Sequence, residues 1–397
     1  MVWEKPQNRP SGDNGSLHVG CPLYQDGSFR VAISLPLVQT VSMESEEGVR
    51  KNTASDPSAT CFRLLPKVSR TFALGIDGLK EPLRTVVCAS YLLCRILDTI
   101  EDAPGVGTAE RRALILPFLD ALREGKEAGA RWLETVEEKL SSRSSSDDME
   151  LMRNTSCVLD VIREAGESER LSVMRWVTEM GKGMIEWSSR MGEGGLKTLK
   201  TMDDLNRYCY YIAGTVGYLL TDLFFILSPR IDRALFFRLQ ADAEAYGLGL
   251  QKVNIIKDFS DDLERGWCFI PTSLLDAHGL VPGDLADPVK SERVYEAVLP
   301  VICSAFRHLE RAWEYLCNVP LEERETRLFL GQSLFFAIET LALVARDRKN
   351  LTSKKKLKIS RLKVTEVVVS LKRFISDPSK LRRYHSRCAE PLQVFFE

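Results

Sequence analysis

Apolar residues recur every three to four positions along most of the chain after residue 57. This spacing is typical of helices that bury one face. The segments with the pattern are 60–80, 83–100, 110–140, 150–165, 168–190, 203–228, 231–258, 292–317, 325–348 and 361–375. They are separated by DAPGVG, SSRSSSDD, MGEGG, SPR, HGLVPGD and NVP, which are rich in turn-forming residues. Strands do not alternate with helices in this pattern. It therefore predicts one large all-α domain, with about ten helices around a central cavity.

The two ends of the chain lack this helical pattern. Residues 1–56 are rich in Asn, Ser, Gly and Pro and hold one apolar piece, VAISLPLV. We expect a disordered or loosely attached extension there. Met43 opens a more ordinary segment and is a hypothetical alternative start. The predicted divisions are therefore an extension at 1–56, a helical domain at 57–376, and a tail at 377–397 without a membrane anchor.

Composition excludes several classes of protein. The 54 Lys and Arg residues balance the 55 Asp and Glu residues, so no overall basic field favours nucleic acid. The ten cysteines are scattered without a CxxC pair, which is typical of reduced cytosolic thiols and not of a disulfide framework or zinc site. The four histidines show no metal-ligand spacing.

The longest apolar stretch, 211–227, carries Asp222 and is short for a membrane span. We interpret it as a buried core helix. The first residues lack the apolar core of a signal peptide. We therefore expect a soluble cytoplasmic protein that meets a membrane, if at all, only at its surface.

Two of the predicted helices carry polar seams that end in acids. Helical spacing places Tyr91, Arg95, Asp98 and Asp102 on one face, with Glu101 beside them. The second seam consists of Gln251, Asn254, Asp258 and Asp262, with Asp261 flanking it.

These acids have two interpretations. They are either solvated helix ends or two facing clusters that need a cation between them. The flanking runs are apolar, as in buried helices, and Mg²⁺ takes oxygen ligands that it shares between carboxylates and substrate phosphates. Arg70 and Arg95 are suited to hold such phosphates through paired hydrogen bonds. From the residues alone, a metal–diphosphate site and a surface cap remain open.

Four blocks of sequence resemble the signature blocks of squalene synthases, in the squalene/phytoene synthase family of head-to-head prenyl transferases. They are SRTF at 69–72, YLLCRILDTIED at 91–102, YCYYIAGTVG at 208–217 and LQKVNIIKDFSDD at 250–262. Their order agrees with the family, and the resemblance covers about residues 57–370. It implies an all-α isoprenoid synthase fold.

The resemblance also implies site residues. Asp98, Glu101 and Asp102, with Asp258, Asp261 and Asp262, would hold Mg²⁺ on farnesyl diphosphate, although Asp261 stands where Glu is common. The tyrosine assigned to catalysis matches Tyr208, alongside the acids Asp98, Asp102, Asp258 and Asp262. Substrate-binding positions match Ser69, Arg70, Phe72, Arg95, Gln251, Lys257 and Phe329. Lys257 stands where some relatives have Arg.

The implied reaction joins two farnesyl diphosphate molecules through a cyclopropyl diphosphate and reduces the product to squalene with NADPH. No strand–GxGxxG–helix unit is predicted, so a Rossmann site for the nucleotide is improbable. The resemblance assigns NADPH to Asn254, Lys358 and Arg361 instead. A solvated basic loop or a membrane-surface patch is the competing interpretation of the SKKKLKISRLK run at 353–363.

Three alternatives to a squalene synthase are a dehydrosqualene synthase, a phytoene synthase and a non-catalytic relative. A dehydrosqualene or phytoene synthase would need no NADPH, and a non-catalytic relative would act as a scaffold. We expect a soluble, anchor-less enzyme with transferase activity in isoprenoid, sterol or hopanoid biosynthesis. We expect a monomer with no nucleic-acid partner.

Overall fold

The computed structural model describes residues 56–124, 126–190, 196–352 and 357–396, without the side chains of residues 70, 71, 126–128 and 350. The predicted extension, apart from Asp56, lies outside the described residues, as does Met43. The α-helices of the described residues are α1 (Pro57–Val68), α2 (Arg70–Ile76), α3 (Leu83–Asp102), α4 (Thr108–Glu124), α5 (Lys126–Leu140), α6 (Ser146–Arg153), α7 (Thr155–Glu164), α8 (Glu167–Arg190), α9 (Met202–Cys209), α10 (Thr215–Leu227), α11 (Arg233–Glu264), α12 (Thr272–Ala277), α13 (Ser291–Asn318), α14 (Arg324–Arg346), α15 (Arg361–Phe374) and α16 (Pro378–Ala389).

Short segments of other kinds connect these helices. A π-helix, Tyr210–Gly214, joins α9 to α10. The strands β1 (Lys197–Thr198) and β2 (Trp267–Cys268) pair in parallel, with Lys197 opposite Trp267. The 3₁₀ turns are Pro282–Ala286, Pro288–Lys290, Arg348–Asn350 and Glu390–Phe395. The described residues therefore form the all-α fold that the sequence pattern predicts.

Helix α11 is the central element of the bundle. It runs for 32 residues and packs along α10 and α13. Glycine allows its close approach to the α9–α10 region. A Cβ on Gly217 would lie 2.0 Å from the carbonyl oxygen of Ala243, and one on Gly247 would lie 2.1 Å from that of Ala213. Any side chain at these two positions would force α10 and α11 apart. Both glycines line the cavity between the helices.

The structure corrects the predicted bounds at three places. The segment 60–80 divides at Ser69, whose backbone is extended and whose hydroxyl accepts a hydrogen bond from Phe72 N at 3.3 Å. The segment 110–140 forms two helices, α4 and α5. The predicted tail contains α16, which buries Leu381, Tyr384 and Cys388 against α14 and α15. Arg382 and Arg383 interrupt the apolar pattern of this helix, so the pattern did not predict it.

Two helical stretches of the described residues, Met202–Leu227 and Arg324–Arg346, have the length and apolar character of membrane spans. Such stretches also occur as core helices. Half of the first apolar window and 72% of the second are buried in the bundle. Both stretches also contribute residues to the central cavity. Their placement agrees with the expectation of a core helix at 211–227.

Candidate active site

A cavity lies among α2, α3, α8, the π-helix, α10, α11 and α14. It encloses about 850 Å³, part of it open to solvent. Its walls are mostly apolar, with the aromatic rings of Phe72, Tyr91, Tyr246 and Phe329. Among its lining residues Asp98 carries the one carboxylate. An elongated apolar molecule with a charged head would therefore find its tail and its head matched by different parts of this cavity.

The first acid motif occupies the last two turns of α3. Asp98 lines the cavity, Asp102 ends the helix, and Glu101 is buried between them with 4% of its surface exposed. Burial, together with the charges of Asp102 and Asp98, raises the pKa of Glu101 to about 8. Burial is the larger cause of this shift, and the neighbouring carboxylates add to it.

Tyr208 faces this motif from α9. Its hydroxyl lies 3.4 Å from each carboxylate oxygen of Glu101. The ring stacks on Phe269 at 4.9 Å between centroids and meets Trp187 edge-on at 6.2 Å. Burial and the charge of Glu101 raise the pKa of Tyr208 well above its ordinary value. The phenol therefore stays protonated at neutral pH and acts as a donor.

The second acid motif lies near the end of α11. The Lys257 ammonium hydrogen-bonds the carboxylate of Asp258. Asp262 is buried, and burial raises its pKa to about 7; Arg265 opposes this shift, whereas Asp258 and Asp102 add to it. Arg265 contacts a carboxylate of each motif, so the two motifs face each other across a gap between the ends of α3 and α11.

Arg265 bridges this gap. Its Nη2 donates to Oδ1 of Asp262, and its Nη1 lies 3.6 Å from Oδ1 of Asp102. The residue stands immediately after α11 and ends that helix. Sequence reasoning did not assign it a role. The available signal was its position three residues after Asp262, which places it over the same turn of helix.

Arg95 has a partner within the protein that the sequence did not predict. Its guanidinium donates to Oδ1 of Asp148 through Nε at 3.0 Å and Nη2 at 2.7 Å. Both side chains are largely buried. Asp148 lies on α6. The structure thus gives Arg95 a buried ion pair with Asp148, and Arg95 is not among the residues that line the cavity. Its predicted contact with a diphosphate stays a prediction.

The remaining predicted substrate positions divide between the cavity and its surroundings. Phe72 and Phe329 line the cavity, and the Phe72 ring lies 5.3 Å from that of Tyr91. Ser69 caps α2 beside them. Gln251 is buried in α11, where its side-chain oxygen is 3.5 Å from Nδ2 of Asn254. The side chain of Arg70 lies outside the described residues.

The predicted nucleotide residues differ in their exposure to solvent. Asn254 is buried in α11, whereas Lys358 and Arg361 are exposed at the start of α15. The basic residues 353–356 lie outside the described residues. The backbone carbonyl of Asp261 accepts a hydrogen bond from Arg265 N at 3.2 Å, and its side chain is half-buried. The nucleotide assignment and the role of Asp261 therefore stay predictions.

Arg111 is a second residue that sequence reasoning missed. Its Nε donates to the carbonyl of Glu101 at 2.8 Å, and its Nη2 donates to the carbonyl of Ala103 at 3.3 Å. The guanidinium lies 5.5 Å from the Trp267 ring centroid. A cation is favourable at the C-terminal end of a helix, where carbonyl groups lack partners. Arg111 thus fixes the end of α3 that carries Glu101 and Asp102.

The donor set fits Mg²⁺. In the described residues no three metal-ligating side chains converge into a ready-made cage. Mg²⁺ seldom uses such cages; it takes one or two carboxylates and completes its shell with water and phosphate oxygens. The carboxylates of the two motifs provide hard oxygen donors of the kind that Mg²⁺ prefers. Asp98, Asp102, Asp258 and Asp262 are the residues placed to share such ions with a bound diphosphate.

Comparison with known proteins gives an independent view of the chain. Residues 65–363, about three quarters of its length, match the model of the squalene/phytoene synthase family. The squalene synthase of Schizosaccharomyces pombe is 30% identical over 288 residues, which are 72% of this chain and 59% of that protein. The chain thus spans less than two thirds of that relative.

Two solved structures share the fold. The complex of TcSQS with the ligand BPH1237 superposes with a TM-score of 0.71 at 22% identity, covering 86% of this chain and 96% of that one. A dehydrosqualene synthase in complex with a ligand gives a TM-score of 0.53 at 19% identity, covering 80% and 96%. At these identities the likeness shows the all-α isoprenoid synthase fold.

Proposed function

Because the chain belongs to the squalene/phytoene synthase family, we propose that it is a squalene synthase. It joins two molecules of farnesyl diphosphate head to head through a cyclopropyl diphosphate and reduces the product with NADPH in a Mg²⁺-dependent reaction. The observation that carries the proposal is the position of Asp98, which belongs both to the acid cluster and to the wall of the apolar cavity. One molecule with an apolar tail and a diphosphate head would contact both regions.

The acid end would serve the departure of diphosphate. Asp98, Asp102, Asp258 and Asp262 would hold Mg²⁺, which when bound neutralises the diphosphate and makes it a better leaving group. Lys257 stands beside Asp258 as a further cation for the phosphates. These residues are supplied by two long helices, α3 and α11.

The apolar end would protect the carbocation that remains. Its walls exclude water, which would otherwise quench the cation. The faces of Phe72, Tyr91 and Phe329 offer cation–π attraction along the cavity. The chain length of the product depends on how deeply this cavity accepts a prenyl tail.

Tyr208 has a defined part in this scheme. Burial and the charge of Glu101 raise its pKa, which favours a protonated phenol that donates to Glu101. Tyr208 or the departing diphosphate would accept the proton when the cyclopropane closes. Glu101, held by Tyr208, would keep that hydroxyl directed at the acid cluster.

NADPH would supply the hydride that quenches the final cation. Lys358 and Arg361 suit its phosphate groups because they are exposed and Arg361 begins α15, where backbone N–H groups favour anions. Asn254 would contribute from α11. This part of the proposal is supported by the resemblance of the sequence blocks.

We further propose that the protein works in the cytoplasm, as a monomer, and meets a membrane surface when its apolar product leaves. The nine cysteines of the described residues are all free thiols, which supports a reducing compartment. Separation of cell membranes from soluble proteins, with immunodetection of the chain in each fraction, tests the placement. Retention in the membrane fraction after a high-salt wash would contradict a surface contact.

Product analysis tests the activity. The purified protein is incubated with farnesyl diphosphate and Mg²⁺, with and without NADPH, and the products are identified by mass. We expect squalene with NADPH present. A C30 or C40 polyene formed equally without NADPH would assign a dehydrosqualene or phytoene synthase. No product under any condition would favour the scaffold alternative.

A further inference from the structure

Arg265 is held in place by an unusually constrained turn. Its backbone N–H donates to the carbonyls of Asp261 and Asp262 at 3.2 and 3.1 Å. Gly266 follows with a positive φ of 81°, a conformation that glycine adopts without steric cost. Strand β2 begins at the next residue and is paired with β1. The guanidinium therefore projects from a fixed point at the end of α11.

From that point the side chain reaches both acid motifs. One nitrogen hydrogen-bonds Asp262 on α11, and another lies 3.6 Å from Asp102 on α3. Neighbouring cations have other partners: Lys257 contacts Asp258, and Arg111 donates to backbone carbonyls of the α3 end. In the described residues Arg265 is thus the cation seen to link carboxylates of the two motifs.

The side chains of Asp262, Arg265 and Asp102 differ in their exposure to solvent. The side chain of Asp262 is 7% exposed, whereas those of Arg265 and Asp102 are 30% and 29% exposed. A long, partly exposed arginine can turn toward solvent or toward an incoming phosphate without unfolding anything around it. The buried carboxylate of Asp262 cannot move out with it. A replacement positive charge must then enter between the two motifs.

We propose that Arg265 is a positioning residue that holds the two acid motifs together in the metal-free protein and competes with divalent cations for Asp102 and Asp262. Its guanidinium lies between the two acid motifs and moves away when the metal and diphosphate bind. This inference rests on the proposed function for the identity of the metal. The competition itself requires only that a divalent cation binds these carboxylates.

Binding of Mn²⁺ alone tests the competition without any turnover. Free Mn²⁺ is followed by electron paramagnetic resonance during titration of the full chain at constant pH and ionic strength. For Arg265→Gln we expect affinity about three- to tenfold tighter than that of the parent, since one competing charge is removed. Arg265→Lys, which keeps the charge but loses the fork, should fall between them. Arg143→Gln, which removes an exposed arginine 3.3 Å from Glu110, should bind as the parent does.

Stability without metal gives the second readout. The Arg265→Gln protein should melt at a lower temperature than the parent in chelator and gain more stability from Mn²⁺. Combining Arg265→Gln with Asp102→Asn should cancel part of the gain in affinity, because one contested ligand is gone. Circular dichroism of each variant shows that it is folded, and Arg265→Lys keeps the comparison meaningful if the glutamine variant is not.

The outcomes separate the two claims. Equal Mn²⁺ affinity in the parent and both Arg265 variants would overturn the role of Arg265 and leave the proposed function standing. Loss of turnover with unchanged Mn²⁺ affinity would likewise overturn the competition. Absence of Mn²⁺ binding in the parent and in every variant would overturn both the metal site and the competition.

Discussion

Two groups of charged side chains on helix α3 differ in whether each charge has a partner of opposite sign. On the side facing α6, Arg95 meets Asp148, and the remaining oxygen of Asp148 accepts from Ser145 Oγ at 2.7 Å. Thr99 Oγ1 adds a contact of 3.4 Å to the same carboxylate. Each charge there has a partner built into the protein. On the side facing α11, the carboxyls of Glu101 and Asp262 have raised pKa values because they are buried and negative charges crowd together.

The two groups of charges on α3 are therefore suited to different roles. A saturated ion pair fixes helices and has little capacity left for a ligand. A group of acids with insufficient positive charge is costly to fold and is poised to bind a cation. Arg95 and Asp148 join α6 to α3, and the metal-binding role of Asp98, Glu101 and Asp102 stays a prediction.

The largest effect is expected when the saturated side is broken. Asp148→Ala leaves the buried charge of Arg95 without its partner and should lower the free energy of unfolding by about 3–5 kcal/mol. Urea denaturation followed by circular dichroism measures the change. Glu150→Ala on the same helix removes an exposed ion pair with Arg63 and Lys67 and should change little. Equal, small effects of both variants would remove the contrast between the two sides.

The opposite behaviour is expected on the acid side. Glu101→Gln should lower turnover about 100-fold, because it weakens the electrostatic arrangement that stabilises the departing group. It should not destabilise the metal-free protein at neutral pH, since it removes a carboxyl that is unfavourable to ionise there. Steady-state kinetics and thermal melting measure the two effects, with the exposed Glu138→Gln as control. A Glu101→Gln protein that is unstable but fully active would reverse our assignment.

The pH dependence of stability sharpens the same point. An acid whose pKa is higher in the folded than in the unfolded protein binds more protons when folded, so stability falls as pH rises between the two values. For Glu101 these are 4.5 and about 8, and for Asp262 they are 3.8 and about 7. Metal-free protein should therefore melt at progressively lower temperature from about pH 5 to pH 8. Glu101→Gln should flatten this slope, and a slope identical to that of the parent would show that the buried carboxyl of Glu101 is not its cause.

The smallest effect concerns the apolar wall. Phe72→Leu keeps most of the side-chain volume but removes the aromatic face, and should lower turnover about five- to tenfold by loss of cation–π stabilisation. Phe62→Leu is the matched control, because Phe62 lies outside the cavity with Arg84 at 4.0 Å over its ring. Product assays with farnesyl diphosphate measure both. Equal turnover of the two variants would mean that the aromatic face of Phe72 does not stabilise the reacting carbon skeleton.

Local pattern predicted the helices, and that the acids of each motif share one helix, because both depend on residues close in sequence. Asp98 and Asp102 share a helix, and Asp258 and Asp262 share another, as their spacing of four indicates. Ser69 and the π-helix 210–214 were not predicted as interruptions. Each depends on hydrogen bonds that an uninterrupted helical periodicity equally allows.

Partners distant in sequence could not be predicted. Arg95 shares the seam of Asp98 in projection, yet its partner Asp148 is 53 residues away and is set by the docking of α6. The contact of Arg265 with Asp102 likewise joins the ends of α11 and α3, which are distant in sequence. Helical spacing fixes which residues share a face, but the tertiary fold decides what that face meets.

We expect the acid motifs of α3 and α11 to bind a diphosphate through a divalent metal ion. Calorimetric titration of the protein with farnesyl thiodiphosphate, an analogue that ionises slowly, tests it directly in Mg²⁺ and in chelator. We predict binding that requires Mg²⁺ and weakens about 100-fold in Asp98→Asn and in Asp262→Asn. Binding of equal strength in chelator and in both variants would contradict the claim.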